Sequence, residues 1–546
     1  MSGVLLLLVT FLLFILAYIF YGGWLAKQWG LNPQGKTPAH ELYDGVDYVP
    51  AKAPVLLGHH FASIAGAGPI NGPVLAAVFG WLPVTLWIVI GNIFMGAVHD
   101  FGSLMASIRH KGLSIGGIID ANVGKGAKRL FLLFSWLTLV LIIAAFANIV
   151  ADTFVATPQT ATASLLFIPL AMVFGFSIYR RNAPLLVSTF VGLAVLVLCI
   201  WLGLSFPIKL SKTAWLVLIS FYIIGASVMP VWILLQPRDY LNSFLLYAMI
   251  LGGFIGVILY HPTIAMPAVT TLKHPTQGYL FPMLFITIAC GAISGFHSLV
   301  ASGTTAKQLD KEGDAKVIGY GGMLIEGALA ILATLSAVYL TTDGYATLLK
   351  GGPVNVFSTG LATFMTSFGI EATAGKTFVA LAVSAFALTT LDTAARLGRF
   401  AFQEFFQETT TAEAGSSSSS SSSMSFLANR YVASVITIGI SIYLAFTSWR
   451  VIWPMFGSAN QLLAAVALLA VATWLANKGM NNKMLIAPMI FMFIVTLTAL
   501  VFLIQSNIAK GNFILVFFAG LLFVLAILLI VLSYNVLSRK RKRQEA

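Results

Sequence analysis

The stretch Gly58-His59-His60-Phe61-Ala62-Ser63-Ile64-Ala65-Gly66-Ala67-Gly68-Pro69-Ile70-Asn71-Gly72-Pro73 lies inside the apolar window 55–79. Three glycines and two prolines fall within its last eight residues, so a continuous helix there is unfavourable. In hydrocarbon an unpaired backbone group costs several kcal/mol, so a broken helix persists only where it lines a cavity or binds something. Freed N–H groups and a positive helix end suit a carboxylate; freed carbonyls suit a small cation. The bland alternative is a kink filled by a neighbouring helix.

Composition shows what surrounds this stretch. Of 546 residues, 59% are hydrophobic and 9% charged, against about 45–50% and about 25% in soluble proteins. That excludes a soluble enzyme and a disordered chain. It predicts an all-α polytopic membrane protein whose partner is the lipid bilayer. The net charge of +13 fits Lys/Arg-rich cytoplasmic loops rather than nucleic acid. Cys199 and Cys290 both sit in apolar runs, so no disulfide framework is expected.

Fifteen apolar windows are long enough to span: 3–28, 55–79, 83–108, 130–151, 160–179, 184–206, 213–236, 240–262, 280–303, 316–341, 376–400, 430–448, 454–476, 484–506 and 512–537. The first has no basic leader and is expected to be retained rather than cleaved. With the basic tail Arg539-Lys540-Arg541-Lys542-Arg543 cytoplasmic and the N-terminus outside, 24 of the 31 Lys/Arg fall inside and 7 outside. The predicted regions are 1–54, the first helix and a cytoplasmic loop; 55–400, a ten-helix core; 401–429, a linker containing the serine run 416–423; and 430–546, four further helices and the tail. The stretch 357–368, in the outside segment 342–375, is a candidate re-entrant element.

A second interruption, Gly225-Ala226-Ser227-Val228-Met229-Pro230-Val231-Trp232, lies in the seventh window, five spans on and opposite in direction. Paired breaks of opposed direction are the signature of an inverted-topology repeat. It would comprise spans 2–6 and 7–11. Candidate substrate contacts are Ala65, Gly66, Gly68, Asn71, Gly72, Gly225, Ser227 and Trp232.

Ionisable groups inside spans are functional candidates by default. Glu326 has no partner nearby in its own span, which suits a proton carrier. Asp392 precedes Arg396 by one helical turn and reads as a structural ion pair. His59, His60, His99 and Asp100 lie near the same face and can form one cluster, as proton relay, hydrogen-bond cluster or metal site. Ser294, Ser298 and Ser302, flanking His297, share a helix face and can offer oxygens to the first break or simply pack. No HExxH motif exists, and adjacent histidines do not match helical metal-ligand spacing. No catalytic residue, resident metal or cofactor is therefore expected; the coupling ion is H+, with Na+ the competitor.

The residues resemble the carbon starvation protein A family of bacterial membrane proteins. The resemblance rests on Gly58 through Pro73, Gln236-Pro237-Arg238-Asp239-Tyr240-Leu241-Asn242, Gly291 through Lys307, Thr389 through Arg396, and Phe456-Gly457-Ser458-Ala459-Asn460-Gln461-Leu462. It implies a LeuT-type 5+5 fold in the amino acid–polyamine–organocation superfamily, with one extra helix before and about four after. It further implies a plasma-membrane transporter taking up peptides under carbon starvation or, in close relatives, pyruvate with protons. A small-molecule substrate is the expected partner, with a homo-oligomer open.

Overall fold

The computed structural model describes residues 2–45, 47–413, 426–446 and 449–545. The serine run 416–423 lies outside the described residues. Helices dominate: α1 (Gly3–Gln28), α2 (Ala53–Ile64), α3 (Gly68–Phe79), α4 (Trp81–Arg109), α5 (Ile115–Asn122), α6 (Lys125–Ala156), α7 (Pro158–Arg181), α8 (Leu185–Ser205), α9 (Lys212–Val228), α10 (Leu235–Tyr260), α11 (Leu280–Thr287), α12 (Gly295–Gly303), α13 (Glu312–Val338), α14 (Thr342–Leu349), α15 (Pro353–Met365), α16 (Ala372–Glu413), α17 (Arg430–Ala445), α18 (Trp449–Asn477), α19 (Lys483–Ala509) and α20 (Phe513–Glu545).

Among the described residues, eleven helices are long and apolar enough to cross a membrane, and the bent pair α2–α3 makes twelve. The chain is thus an all-α polytopic membrane protein. All fifteen apolar windows contain helix, but α9 and α17 are shorter, and 280–303 is interrupted between α11 and α12. Helix α16 also runs on to Glu413, past the boundary expected at 400.

Burial sorts the helices. Helices α6, α13, α16 and α18 are almost wholly enclosed, whereas α8 turns most of its apolar surface outward. The longest packed seam joins α6 to α16, with α18 and α17 against α6. Helices α7 and α8 form a peripheral hairpin, and α19 and α20 flank α18. Without a hydrophobic driving force between helices in lipid, such seams depend on close approach of small residues. Gly360 of α15 illustrates this: a Cβ there would lie 2.6 Å from the Ser336 carbonyl oxygen of α13.

The apolar stretch 357–368 falls mostly in α15, which packs on α16, α10, α13 and α3. Phe357 and Phe364 are fully buried there. The preceding Tyr345 of α14 donates its hydroxyl to the Val74 carbonyl of α3 at 2.8 Å, tying this pair of helices to the broken span.

Gly360→Val should destabilise the fold by about 1–3 kcal/mol through overpacking. Gly439→Val in α17, where a Cβ meets no atom within 4 Å, should leave the melting temperature in detergent nearly unchanged. Equal melting of the two variants would refute this packing account.

Candidate functional site

The first break is where the glycines and prolines place it. Helix α2 ends at Ile64, residues 65–67 are unwound, and α3 starts at Gly68 with Pro69 in its first turn, at a 42° bend. Small residues are required because other chain segments lie against this backbone. A Cβ on Gly68 would sit 2.5 Å from Cys290 Sγ, and one on Gly72 would sit 2.6 Å from the Thr287 carbonyl oxygen. Gly66 faces Thr390 and Phe146. The Ser63 carbonyl, freed by the break, accepts from Thr390 Oγ1 at 3.1 Å, and Ser63 Oγ lies 3.4 Å from Thr393 Oγ1.

The element that faces this break is the second unwound segment, 288–294, between α11 and α12. The expectation that 225–232 would face it is corrected. Helix α9 continues unbroken through Val228, and residues 229–234 form the turn into α10. Pro230 there removes a backbone donor at a helix end, where no helical bond is lost. That turn packs elsewhere: Trp232 lies tilted against Tyr179 and under Arg180, Ser227 Oγ bonds Ser434 Oγ at 2.9 Å, and Arg396 donates to the Met229 carbonyl. At Gly225 a Cβ would meet no atom within 4 Å, so nothing there requires a glycine for close approach.

Side chains from two helices satisfy the second unwound segment. Trp87 Nε1 and Gln461 Nε2 donate to the Ile288 carbonyl at 3.2 and 3.3 Å, and Gln461 also donates to the Phe285 carbonyl. Asn92 Nδ2 bridges the Gly291 and Met323 carbonyls at 3.2 and 2.8 Å. Asn460 Oδ1 accepts from the Phe296 N–H at 2.8 Å, at the start of α12. Ser294 Oγ bonds the same Asn460 side chain, while Ser298 and Ser302 donate back to Gly295 and Ser298 carbonyls.

Beside the crossing of the two breaks runs a buried chain of ionisable groups. His99 Nδ1 lies 2.8 Å from Asp100 Oδ1, Asp100 Oδ2 lies 2.9 Å from His297 Nδ1, and His297 Nε2 lies 3.5 Å from Glu326 Oε2. All four side chains have zero solvent exposure. A proton on Nδ1 toward the Asp100 carboxylate would leave the Nε2 lone pair toward Glu326; among the described residues, neither His297 Nε2 nor either Glu326 oxygen is hydrogen-bonded. Cys290, His297 and Glu326 offer ligand atoms within 4.8 Å of one another, a spacing that could hold one cation.

The predicted histidine cluster is therefore divided. His99 and Asp100 join His297 and Glu326, His60 Nδ1 pairs with Thr305 Oγ1 at 2.8 Å, and His59 Nδ1 pairs with Asp239 Oδ2 at 2.9 Å. Asp392 likewise pairs not with Arg396 but with Arg238, whose other amino group lies 3.1 Å from Asp239. Tyr222 donates to Asp392 at 2.6 Å. The one-turn spacing of Asp392 and Arg396 loses because Asp392 faces α10, where a buried guanidinium needs a carboxylate. Arg238, Asp239, Tyr222, Cys290, Asn460 and Gln461 received no role from the sequence. Charges directly before an apolar window, as at Arg238-Asp239, were the available signal.

Two cavities sit at opposite ends of the α6–α16 seam. One, of about 460 Å³, is lined by the end of α6, the α14–α15 turn, the start of α16 and Asn71 of α3. The other, of about 500 Å³, is lined by the start of α6, Gly303, Lys307, Arg399, Glu404 and Arg430.

Comparison with known proteins places this architecture. The overall fold is shared with a manganese transporter from Eremococcus coleocola, at a TM-score of 0.50 and 14% identity, covering 91% of this chain and 99% of that one. The peptide transporter CstA of Escherichia coli (strain K12) is 33% identical over 563 residues, covering 89% of this chain and 79% of that protein. Its counterpart from Bacillus subtilis (strain 168) is 32% identical over 518 residues, covering 87% and 85%. The pyruvate/proton symporter BtsT of Escherichia coli (strain K12) is 40% identical over 342 residues, covering 59% of this chain and 47% of its own length. The family model for carbon starvation protein CstA matches residues 2–351 and 343–499. The chain belongs to the carbon starvation protein CstA family, a family of membrane transporters rather than enzymes.

Proposed function

We propose that this transporter imports short peptides across the bacterial plasma membrane by alternating access, with protons as the coupling ion. The observation that carries the reading is the crossing of two unwound segments, 65–67 and 288–294, in the fully buried centre between two cavities. Irregular backbone at membrane depth is tolerated only where it is buried in protein or lines a cavity. The pairing of the matched relatives' substrate with this geometry makes peptides the first reading.

The architecture is read as a LeuT-type inverted repeat. Support comes from the placement of the breaks. With the peripheral hairpin α7–α8 set aside, the two interrupted spans are five crossings apart. The halves then run α2–α6 with α9–α10, and α11–α18, in place of the expected spans 2–6 and 7–11, because the second interruption lies in the ninth window. A short helix, α5, precedes the third span of the first half, and the α14–α15 pair precedes the third span of the second half. The biased distribution of Lys and Arg supports an external N-terminus and a cytoplasmic C-terminus.

Proton coupling draws support from the chain His99–Asp100–His297–Glu326, which links α4, α12 and α13 around the second break. Buried ionisable groups aligned this way are the material of proton relays. Sodium is the competing ion, and the Ser63 carbonyl with the Thr390 and Thr393 hydroxyls would supply its oxygens. Pyruvate is the competing substrate, favoured by the similarity to the pyruvate/proton symporter.

In proteoliposomes, an inward proton gradient should drive accumulation of di- and tripeptides. A sodium gradient at uniform pH should not; accumulation under sodium alone would overturn proton coupling, and uptake of pyruvate without peptides would replace the substrate. Glu326→Gln should abolish gradient-driven accumulation while retaining peptide exchange, measured by counterflow. Gly68→Val should eliminate uptake at normal expression, because its side chain would displace Cys290. Gly225→Val should transport nearly normally; loss of transport there with Gly68→Val active would reverse the assignment of the breaks.

A further inference from the structure

The cavity at the C-terminal end of α6 has chemistry that the central crossing lacks. Its walls come from three places. The α14–α15 turn contributes Lys350 and the N-terminus of α15, and the start of α16 contributes Lys376. The end of α6 contributes Asp152, Thr153 and the last turn of that helix. Asn71 of α3 also lines it, fully buried, with neither its amide oxygen nor its amide nitrogen hydrogen-bonded among the described residues.

These walls have opposite polarity. A helix N-terminus carries roughly +0.5 elementary charge and a C-terminus roughly −0.5, from their unsatisfied N–H and C=O groups. Helix α15 is 13 residues long and opens on Gly352-Pro353, with Gly352 at φ +92°. That end, Lys350 and Lys376 favour a carboxylate. Helix α6 is 32 residues long, and its terminal carbonyls with Asp152 favour an ammonium. Asp152 is held 2.9 Å from Lys212 and remains half-exposed. A carboxylate has about four lone-pair sites, so one lysine contact leaves acceptor capacity.

An orphaned, buried amide adds a third requirement. Burying a donor and an acceptor without partners is unfavourable. A ligand with a peptide bond offers one donor and one acceptor in return. We infer that this cavity is an external capture site for zwitterionic short peptides: Lys350, Lys376 and the α15 N-terminus take the C-terminal carboxylate, Asp152 and the α6 C-terminus take the N-terminal ammonium, and Asn71 pairs with the backbone amide. Pyruvate has neither an ammonium nor an amide N–H, and fills little of the cavity. The inference rests on the transport reading for its direction of approach, but the binding chemistry stands apart from transport.

Calorimetry on the full chain in detergent tests it, with trialanine, N-acetyl-trialanine, trialanine amide and pyruvate as probes. Blocking either terminus should weaken binding at least tenfold on the unmutated protein, so the result does not depend on any variant folding. The double variant Lys350→Gln/Lys376→Gln should lose at least tenfold for trialanine and little for trialanine amide. Asp152→Asn should lose affinity for trialanine and little for the acetylated peptide. Blocked peptides binding as tightly as the free one, or variants binding trialanine like wild type, would overturn the capture site. Proteoliposome uptake separates the two claims. Peptide import with an unchanged KM in the lysine variant sinks the capture site alone. Charge-dependent trialanine binding without any peptide import sinks the transport reading and keeps the site.

Discussion

Unpaired backbone at the centre of a lipid-embedded bundle is the constraint on which this structure depends. Each freed carbonyl there costs several kcal/mol unless a donor meets it. Residues 288–294 leave helical geometry, and three side chains donate to their carbonyls, Trp87, Asn92 and Gln461, while Asn460 Oδ1 accepts the Phe296 N–H just beyond. They come from α4 and α18, so the unwound segment is held from two sides. The first break is held differently, by steric fit and by Thr390 on the Ser63 carbonyl. Its glycines let Cys290 and the Thr287 carbonyl approach where any side chain would intrude. The two breaks therefore depend on each other for space.

A second buried network ties the supporting helices together. Arg238 of α10 meets Asp392 of α16 and Asp239 of its own helix, Tyr222 of α9 joins at Asp392, and His59 of α2 joins at Asp239. Removing one partner from a buried pair costs about 3–5 kcal/mol, because the other charge is left uncompensated. This network therefore pins α2, which leads into the first break, to the helices that pack around it. Buried ion pairs of this kind contribute little net stability after desolvation, so orientation of the helices is the effect to expect from it.

Much of the fold was legible in the sequence, and for identifiable reasons. Hydrophobic windows mark helices because lipid demands them, and every window does contain helix. The break at 65–67 was legible because Gly66, Gly68, Pro69, Gly72 and Pro73 are each unfavourable in a helix. The break at 288–294 was not, because Ile288-Ala289-Cys290-Gly291-Ala292-Ile293-Ser294 contains one glycine and no proline. Its unwinding comes from donors on distant helices, which local propensity does not register. The motif Gly457 through Gln461 stands out in the chain, yet carries no hint that Asn460 and Gln461 serve another segment's backbone. Conversely, Gly225 and Pro230 signalled an interruption that proved to be an ordinary helix end. The pairing of Asp392 failed similarly: sequence spacing favoured Arg396, and tertiary burial favoured Arg238.

On the proposed reading, a proton at Glu326 would be felt at the peptide path through the elements that carry the buried chain. Glu326 lies on α13, His297 on α12 and Asp100 on α4, and these three elements surround the unwound segment. His297 is the third residue of α12, immediately after the turn that places Cys290 against Gly68. Protonation changes which of these groups attract one another, and so changes how firmly α12 is held to α4 and α13. Any resulting shift of α12 moves Cys290 relative to Gly68, at the point where the two breaks cross. Because packed interiors are close-filled and resist continuous deformation, such a shift favours two discrete arrangements. The cavities at the opposite ends of the α6–α16 seam are where those two arrangements would open.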